Sequence, residues 1–317
     1  MKIFLFFLGT LIFIFTLIMI GVFIYVFVRR NNKTVDDIDS YEDNFLCTYK
    51  DVLKRGMKYI VEAEHQWVST ESFDGLKLSA RFYPCVKPNK KTEKTIILFH
   101  GYRSTGSRDF CSAVQKYHEN GFNVLLVDQR SHGKSEGKLI TFGIKESYDA
   151  VSWVEFILDR FGETTPVFLS GLSMGASTVM MAADRNLPNN VRGIIADCGF
   201  TSPAEIISFV AARNFHVKSK LIIRILDIMC KLVGGFTIYS INTEEILAKS
   251  HIPILFFHGA ADSFVPCNMS IRNHKAAIGE KKIYIVDKAE HGGSFLVEPE
   301  TVSGALREFF ERYGDIL

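Results

Sequence analysis

Apolar residues run without a single charge from Ile3 to Val28, and Phe, Ile and Leu dominate the stretch. A helix of this length reaches roughly 39 Å, more than the ~30 Å hydrocarbon core of a bilayer. A cleavable leader has an apolar core of about 7–15 residues and then a small-residue cleavage site. This run is longer and no such site follows it, so the pattern predicts an uncleaved transmembrane anchor over residues 3–28. Residues 31–45 turn polar and acidic and read as a tether, inside a linker spanning 29–58.

From residue 59 to 317 the pattern predicts one large domain. Glu64 to Tyr83 reads as a hairpin, with two β-like runs around the turn dipeptide Asp74-Gly75. After a linker at Pro88–Lys94, short apolar strands alternate with helical stretches. Strands are predicted at 95–99, 123–127, 166–169, 193–196, 252–257 and 282–286. Helices are predicted near 107–120, 144–161, 176–186, 268–278 and 299–313. Several of the strands are continuous apolar runs, which suits a sheet covered on both faces. The alternation implies an α/β fold, with a mainly parallel sheet and ligands bound beyond the strand C-termini.

Residues 201–250 break this rhythm, with no clear strand and helical segments near 203–213 and 219–232. An ordinary pair of packing helices would fit. Phe209, Phe215, Ile222, Ile223 and Phe236 exceed what one crossover helix needs, which favours a helical cap over the strand ends.

Composition narrows the function classes. Hydrophobic residues make up 47% of the 317, enough for a sizeable core. The formal charge is only +2 and no basic stripe stands out, so nothing points to a nucleic-acid partner. The six cysteines form no C-x-x-C pair, which argues against a zinc ribbon or a thioredoxin-like motif. Free thiols are expected, and Cys198 reads as a small core hydrophobe. No metal or cofactor is expected. Lys2 precedes the apolar run while Arg29, Arg30 and Lys33 follow it, which tips the main domain towards the cytoplasm by a thin margin.

The chemistry centres on Gly171-Leu172-Ser173-Met174-Gly175, between a predicted strand and a predicted helix. A serine there is lifted on a sharp turn that its flanking glycines allow, where a base can reach it. Chance alone would place this motif in roughly one chain in ten of this length, so its position carries the weight. A hydroxyl is a poor nucleophile until a base takes its proton. His291, in the loop after the last strand, is the candidate base. His100, His132 and His258 read as histidines bonded within their own loops. Asp262, at the end of the preceding strand, is the candidate orienting acid, although a turn-capping role is the plainer alternative. Glu290 is the rival acid, disfavoured because adjacent loop residues rarely point the same way. Ser173, Asp262 and His291 fall in the chain order this motif class requires. The backbone N–H groups of Met174 and Tyr102 are the candidate oxyanion donors, at the start of a helix and beside Gly101.

These pieces together resemble an α/β-hydrolase. They are Phe99-His100-Gly101-Tyr102, Asp128-x-Arg130-x-His132-Gly133-x-Ser135, Gly171 to Gly175, Gly259-x-x-Asp262-x-x-Val265-Pro266 and His291-Gly292. The resemblance is closest to the serine aminopeptidase-like or monoacylglycerol-lipase-like (S33-type) branch and spans about residues 60–317. It implies a hydrolytic triad of Ser173, Asp262 and His291, oxyanion donors Tyr102 and Met174, and a cap at 201–250. The Asp128–Ser135 loop is then structural or pocket-shaping. Many relatives carry an acidic residue just after the glycine of the Asp loop, where this chain has Ala260-Ala261.

The leading expectation is a membrane-anchored serine hydrolase that cleaves a carboxylic ester through an acyl-enzyme, its substrate a small or lipid-like acyl compound. Amidase or peptidase action and acyl transfer remain alternatives that the same residues could perform. An aminopeptidase would need acids to grip a substrate ammonium, and no acidic cluster announces itself in the cap. A non-catalytic interaction module on the same fold would need no complete Ser-Asp-His set.

Overall fold

The structure, a computed structural model, describes residues 1–29, 44–85 and 94–314. It opens with α1 (Lys2–Phe27), α2 (Asn44–Thr48) and α3 (Lys50–Glu62), followed by the hairpin β1 (Gln66–Glu71) and β2 (Lys77–Tyr83). Next come β3 (Thr95–Phe99), α4 (Gly106–Phe110), α5 (Val114–Glu119), β4 (Asn123–Asp128), α6 (Glu146–Phe161), β5 (Val167–Leu172), α7 (Met174–Ala182) and β6 (Val191–Asp197). Then follow α8 (Pro203–Phe215), α9 (Lys220–Met229), which continues into a π-helical turn at Cys230–Gly234, and α10 (Thr243–Leu247). The chain closes with β7 (Ile254–Gly259), α11 (Cys267–Ala276), β8 (Lys281–Val286), α12 (Ser294–Val297) and α13 (Pro299–Tyr313).

The strands form one eight-stranded sheet in the order β1-β2-β4-β3-β5-β6-β7-β8. β2 is antiparallel to both β1 and β4, and every pairing from β4 across to β8 is parallel. The uninterrupted apolar strands are explained by two cores. In β3, Ile96 and Leu98 join the cluster on one face while Ile97 and Phe99 join the cluster on the other. Side chains alternate across a strand, so a strand buried on both sides has no polar position.

Two expectations change. Residues 50–58, expected in the linker, form most of α3, with Leu53, Met57 and Ile60 buried against Tyr83, Ile96 and Tyr117. Their i, i+4, i+7 spacing is a helical stripe, hidden in the sequence by Lys50, Lys54, Arg55 and Lys58 on the remaining face. The helix expected over 107–120 is broken between Phe110 and Val114. Residues 31–43 of the tether expected at 31–45, and 88–93 of the linker expected at 88–94, lie outside the described residues.

The helices between β6 and β7, expected as a cap, bury one side in a hydrophobic cluster. Ile206, Ile207, Ile223, Leu226, Cys230 and Phe236 form a third cluster with Phe142, Met174 and Met181. Met19, Phe23 and Phe27 of α1 lie in the same cluster, each buried. The first turns of α1 are exposed throughout, and the helix is long and apolar enough to cross a membrane.

Candidate active site

Ser173 occupies the junction of β5 and α7 with φ 57 and ψ −116, a conformation unfavourable for a residue with a side chain. Its N–H donates to the Asp197 carbonyl at 2.8 Å, which pins the elbow to the neighbouring strand. The glycines have a steric cause. A Cβ on Gly171 would collide with the Gly175 carbonyl, and one on Gly175 with the Phe99 carbonyl. The turn is therefore tight enough to exclude any side chain at either position.

Asp262 and His291, 29 residues apart, meet directly: Nδ1 of His291 lies 2.7 Å from Oδ2 of Asp262. Oδ1 of the same carboxylate accepts from the N–H groups of Phe264 and Val265 at 2.8 and 2.9 Å. Burial opposes ionisation of Asp262, but hydrogen bonds from His258 and His291 outweigh it and hold the carboxyl below the ordinary range. With Nδ1 donating to the carboxylate, the neutral His291 leaves Nε2 as an acceptor, the form a general base needs. The imidazole keeps a quarter of its surface exposed, while the Asp262 side chain is sealed. A Cβ on Gly292 would lie 3.2 Å from the Leu172 side chain, so the His291 loop runs close to the elbow. Glu290 takes no part in this pair; its carbonyl instead accepts from Gly293 N–H at 3.0 Å.

The oxyanion candidates lie on adjoining strand ends, since Phe99 of β3 is in register with Gly171 of β5. Met174 starts α7, and a Cβ on Gly101 would lie 3.4 Å from Ser173 Cβ. The backbone on either side of Tyr102 is held. Gly101 N–H donates to Asp109 Oδ2 at 2.6 Å and Arg103 N–H to His132 Nε2 at 3.0 Å.

Three histidines reach further than their own loops. His100 Nε2 accepts from Gln129 N–H at 3.2 Å, and His132 braces Arg103. His258 Nε2 lies 3.2 Å from Asp262 Oδ2 and 3.0 Å from the Val265 carbonyl, and its Nδ1 bonds Ser270 Oγ at 2.7 Å. Both partners of Nε2 only accept, so the proton sits there. Only the i, i+4 spacing of His258 and Asp262 hinted at this contact.

Cys198 is the second residue the sequence reading missed. It lies just past β6 at φ 47, buried, with Sγ 4.0 Å from Nε2 of His291. Burial pushes its thiol well above the usual range, and the backbone of Ser173 and Gly292 adjoins it. Ligand atoms of Cys198, Asp262 and His291 lie within 4.8 Å of one another. A metal there would need the thiolate that burial disfavours and a carboxylate oxygen already committed to histidine, so the group fits hydrogen bonding better than ligation. All six cysteines are free thiols.

The Asp128–Ser135 loop is a scaffold. Arg130 is buried between Asp149 and Asp74, at 2.5 and 3.0 Å, and Asp128 Oδ2 accepts from Lys134 N–H at 2.8 Å.

Comparison with known proteins agrees with this architecture. The family model for serine aminopeptidase, S33, matches residues 90–227, a span that includes Ser173 and stops short of Asp262 and His291. The uncharacterised protein YqkD of Bacillus subtilis (strain 168) is 26% identical over 84% of this chain and 88% of its own length. Among solved structures, the esterase Pf2001 of Pyrococcus furiosus superposes with TM-score 0.62 at 23% identity, covering 80% of this chain and 93% of that one. Est1E of Butyrivibrio proteoclasticus, solved with ferulic acid, gives TM-score 0.59 at 21% identity, covering 77% and 98%. The sheet order, the strained serine elbow and these neighbours define the α/β-hydrolase fold. On that fold, residues 90–227 match the model of the S33 serine aminopeptidase family.

Proposed function

We propose that the protein is a membrane-anchored serine esterase working through an acyl-enzyme. The observation that carries this reading is the 2.7 Å bond between His291 Nδ1 and an ionised, sealed Asp262, set beside the strained Ser173 elbow. His291 takes the Ser173 proton as Oγ attacks the ester carbonyl, and Asp262 steadies the imidazolium. The N–H groups of Met174 and Tyr102 receive the developing oxyanion, each worth roughly 100- to 1,000-fold in rate. His291 then protonates the leaving alcohol and activates the water that frees the acid.

Ester rather than peptide cleavage is favoured by how the cap's acids are used. Glu205 and Glu244 are both held by Arg272, at 2.6 and 2.5 Å, and Asp227 bonds Thr237 and Ile238 N–H. These three of the segment's four acids are thus engaged, and the fourth, Glu245, is exposed on α10. The amidase or aminopeptidase reading rests on the family match. Anchoring is supported by the exposed apolar turns of α1, and by Leu221, Ile228 and Leu232, which stand exposed along one side of the α9 segment while α9 packs against α1.

A fluorophosphonate probe should label the full-length protein in detergent, and Ser173→Ala should abolish labelling. Equal labelling of that variant would remove the serine from the mechanism. Aminoacyl anilides hydrolysed in preference to p-nitrophenyl esters would replace esterase with peptidase.

A further inference from the structure

A helix leaves its last carbonyls without donors of its own. At the end of α1 the donors come from the loop that carries the oxyanion candidate. Tyr102 Oη donates to the Val26 carbonyl at 2.7 Å. The Arg103 guanidinium donates to the Tyr25 carbonyl and, at 3.4 Å, to that of Val28. A cation at this end also suits the helix dipole.

The next residues are tied down as well. Val28 bridges Leu139, and Ile140 N–H donates to the Phe27 carbonyl at 2.8 Å. The Arg29 guanidinium donates to the carbonyls of Ser135 and Gly133, both at 2.6 Å. Phe27 is fully buried, edge-on to Phe142 at 5.6 Å, and Phe142 stacks on the Tyr102 ring at 5.0 Å. A tether holding a domain at a membrane needs none of these contacts.

We infer that the last turns of α1 position the oxyanion loop, so that the membrane helix is a working part of the active site. Phe27 acts as a positioning residue through Phe142 and Tyr102. It follows that α1 is retained in the mature protein. Its removal would strip Met19, Phe23 and Phe27 from the third cluster and expose Phe142 and Phe236. The inference rests on the assignment of Ser173 as nucleophile.

The test uses the full chain in detergent micelles and a short, soluble p-nitrophenyl ester, so that membrane delivery of substrate plays no part. Phe27→Ser should lower kcat on the order of 10- to 100-fold with KM changed less than about 3-fold, because a small displacement of the donor loop acts on the transition state. Phe27→Leu should restore most of the loss. Phe7→Ser, on the exposed part of the same helix, should match wild type in both constants. Tyr102→Phe keeps ring and backbone, drops the hydroxyl bond to Val26, and should lower kcat roughly 3- to 10-fold. Unchanged kcat in both Phe27→Ser and Tyr102→Phe, in a protein whose wild type labels with fluorophosphonate, would overturn the inference. If Phe27→Ser shows no melting transition, Tyr102→Phe decides. A wild type that does not label counts against the hydrolase mechanism instead. The intact mass of membrane-extracted protein then decides the role of α1: residues 1–29 present support it, and their loss overturns it.

Discussion

Nε2 of His258 and Oδ2 of Asp262 lie 3.2 Å apart with both side chains fully sealed from solvent. The carboxylate therefore stands between two histidines, with His291 on one side reaching towards solvent and His258 on the other locked by Ser270 and Val265. His258 holds the carboxylate that holds His291. In the proposed mechanism it touches no reacting atom.

His258→Phe should accordingly lower kcat by roughly 3- to 10-fold and lower the melting temperature, since Ser270 Oγ and the Val265 carbonyl each lose a buried partner. Asp262→Asn should lower kcat by roughly 10,000-fold, because an amide stabilises the wrong imidazole tautomer, and should keep the fold. Steady-state kinetics and thermal melts on the two variants separate the effects. A His258→Phe loss as large as that of Asp262→Asn would mean that His258 does more than steady the acid.

His132 makes stability depend on pH. Burial first, and then the neighbouring His100, push its pKa down to about 3, against about 6.5 for an unfolded histidine. Its Nε2 accepts from Arg103 N–H, so a proton there would break the brace on the Gly101–Arg103 loop. Between these two values the unfolded chain binds the proton and the folded one does not. This contribution is therefore complete above about pH 6.5 and is lost as the pH falls towards about 3. Melting curves of wild type and His132→Gln should converge between pH 6.5 and 4.5. A constant gap between them over that range would show that His132 does not titrate as described.

The elbow tolerates no methyl group. Gly175→Ala places a Cβ against the Phe99 and His100 carbonyls, which are backbone and cannot rotate away. Overpacking of this kind costs about 1–3 kcal/mol or more. The variant should be recovered mainly as aggregate, and any soluble fraction should melt well below wild type. Gly304→Ala, with no heavy atom within 4 Å of the added carbon, is the control and should behave as wild type.

Cys47 reports, under the proposed anchoring by α1, on which side of the membrane the rest of the chain lies. It is exposed on α2, whereas Cys198 is fully buried with its thiol raised in pKa. With the domain on the cytoplasmic side, a membrane-impermeant maleimide should label Cys47 only after cells are permeabilised. Labelling of intact cells would place the domain outside. Cys198 should stay unlabelled in both cases until the protein is denatured.

Much of this protein is written locally. The anchor-length apolar run, the Asp74-Gly75 hairpin, the buried strands and the glycines around Ser173 all follow from short-range sterics and side-chain alternation, which act between residues close in sequence. So does the order of Ser173, Asp262 and His291, because each candidate ends a predicted strand or follows one. What lay beyond the sequence depends on packing between distant segments. The α3 stripe of Leu53, Met57 and Ile60 was legible in its local spacing, although the linker reading missed it, but no local pattern reveals that Cys198 settles beside His291, 93 residues away. Nor does local spacing reveal that Tyr102 would cap a carbonyl of α1 across 76 residues. Those contacts form because helix ends, buried acids and buried rings must each find a partner, and only the folded chain decides which partner is near enough.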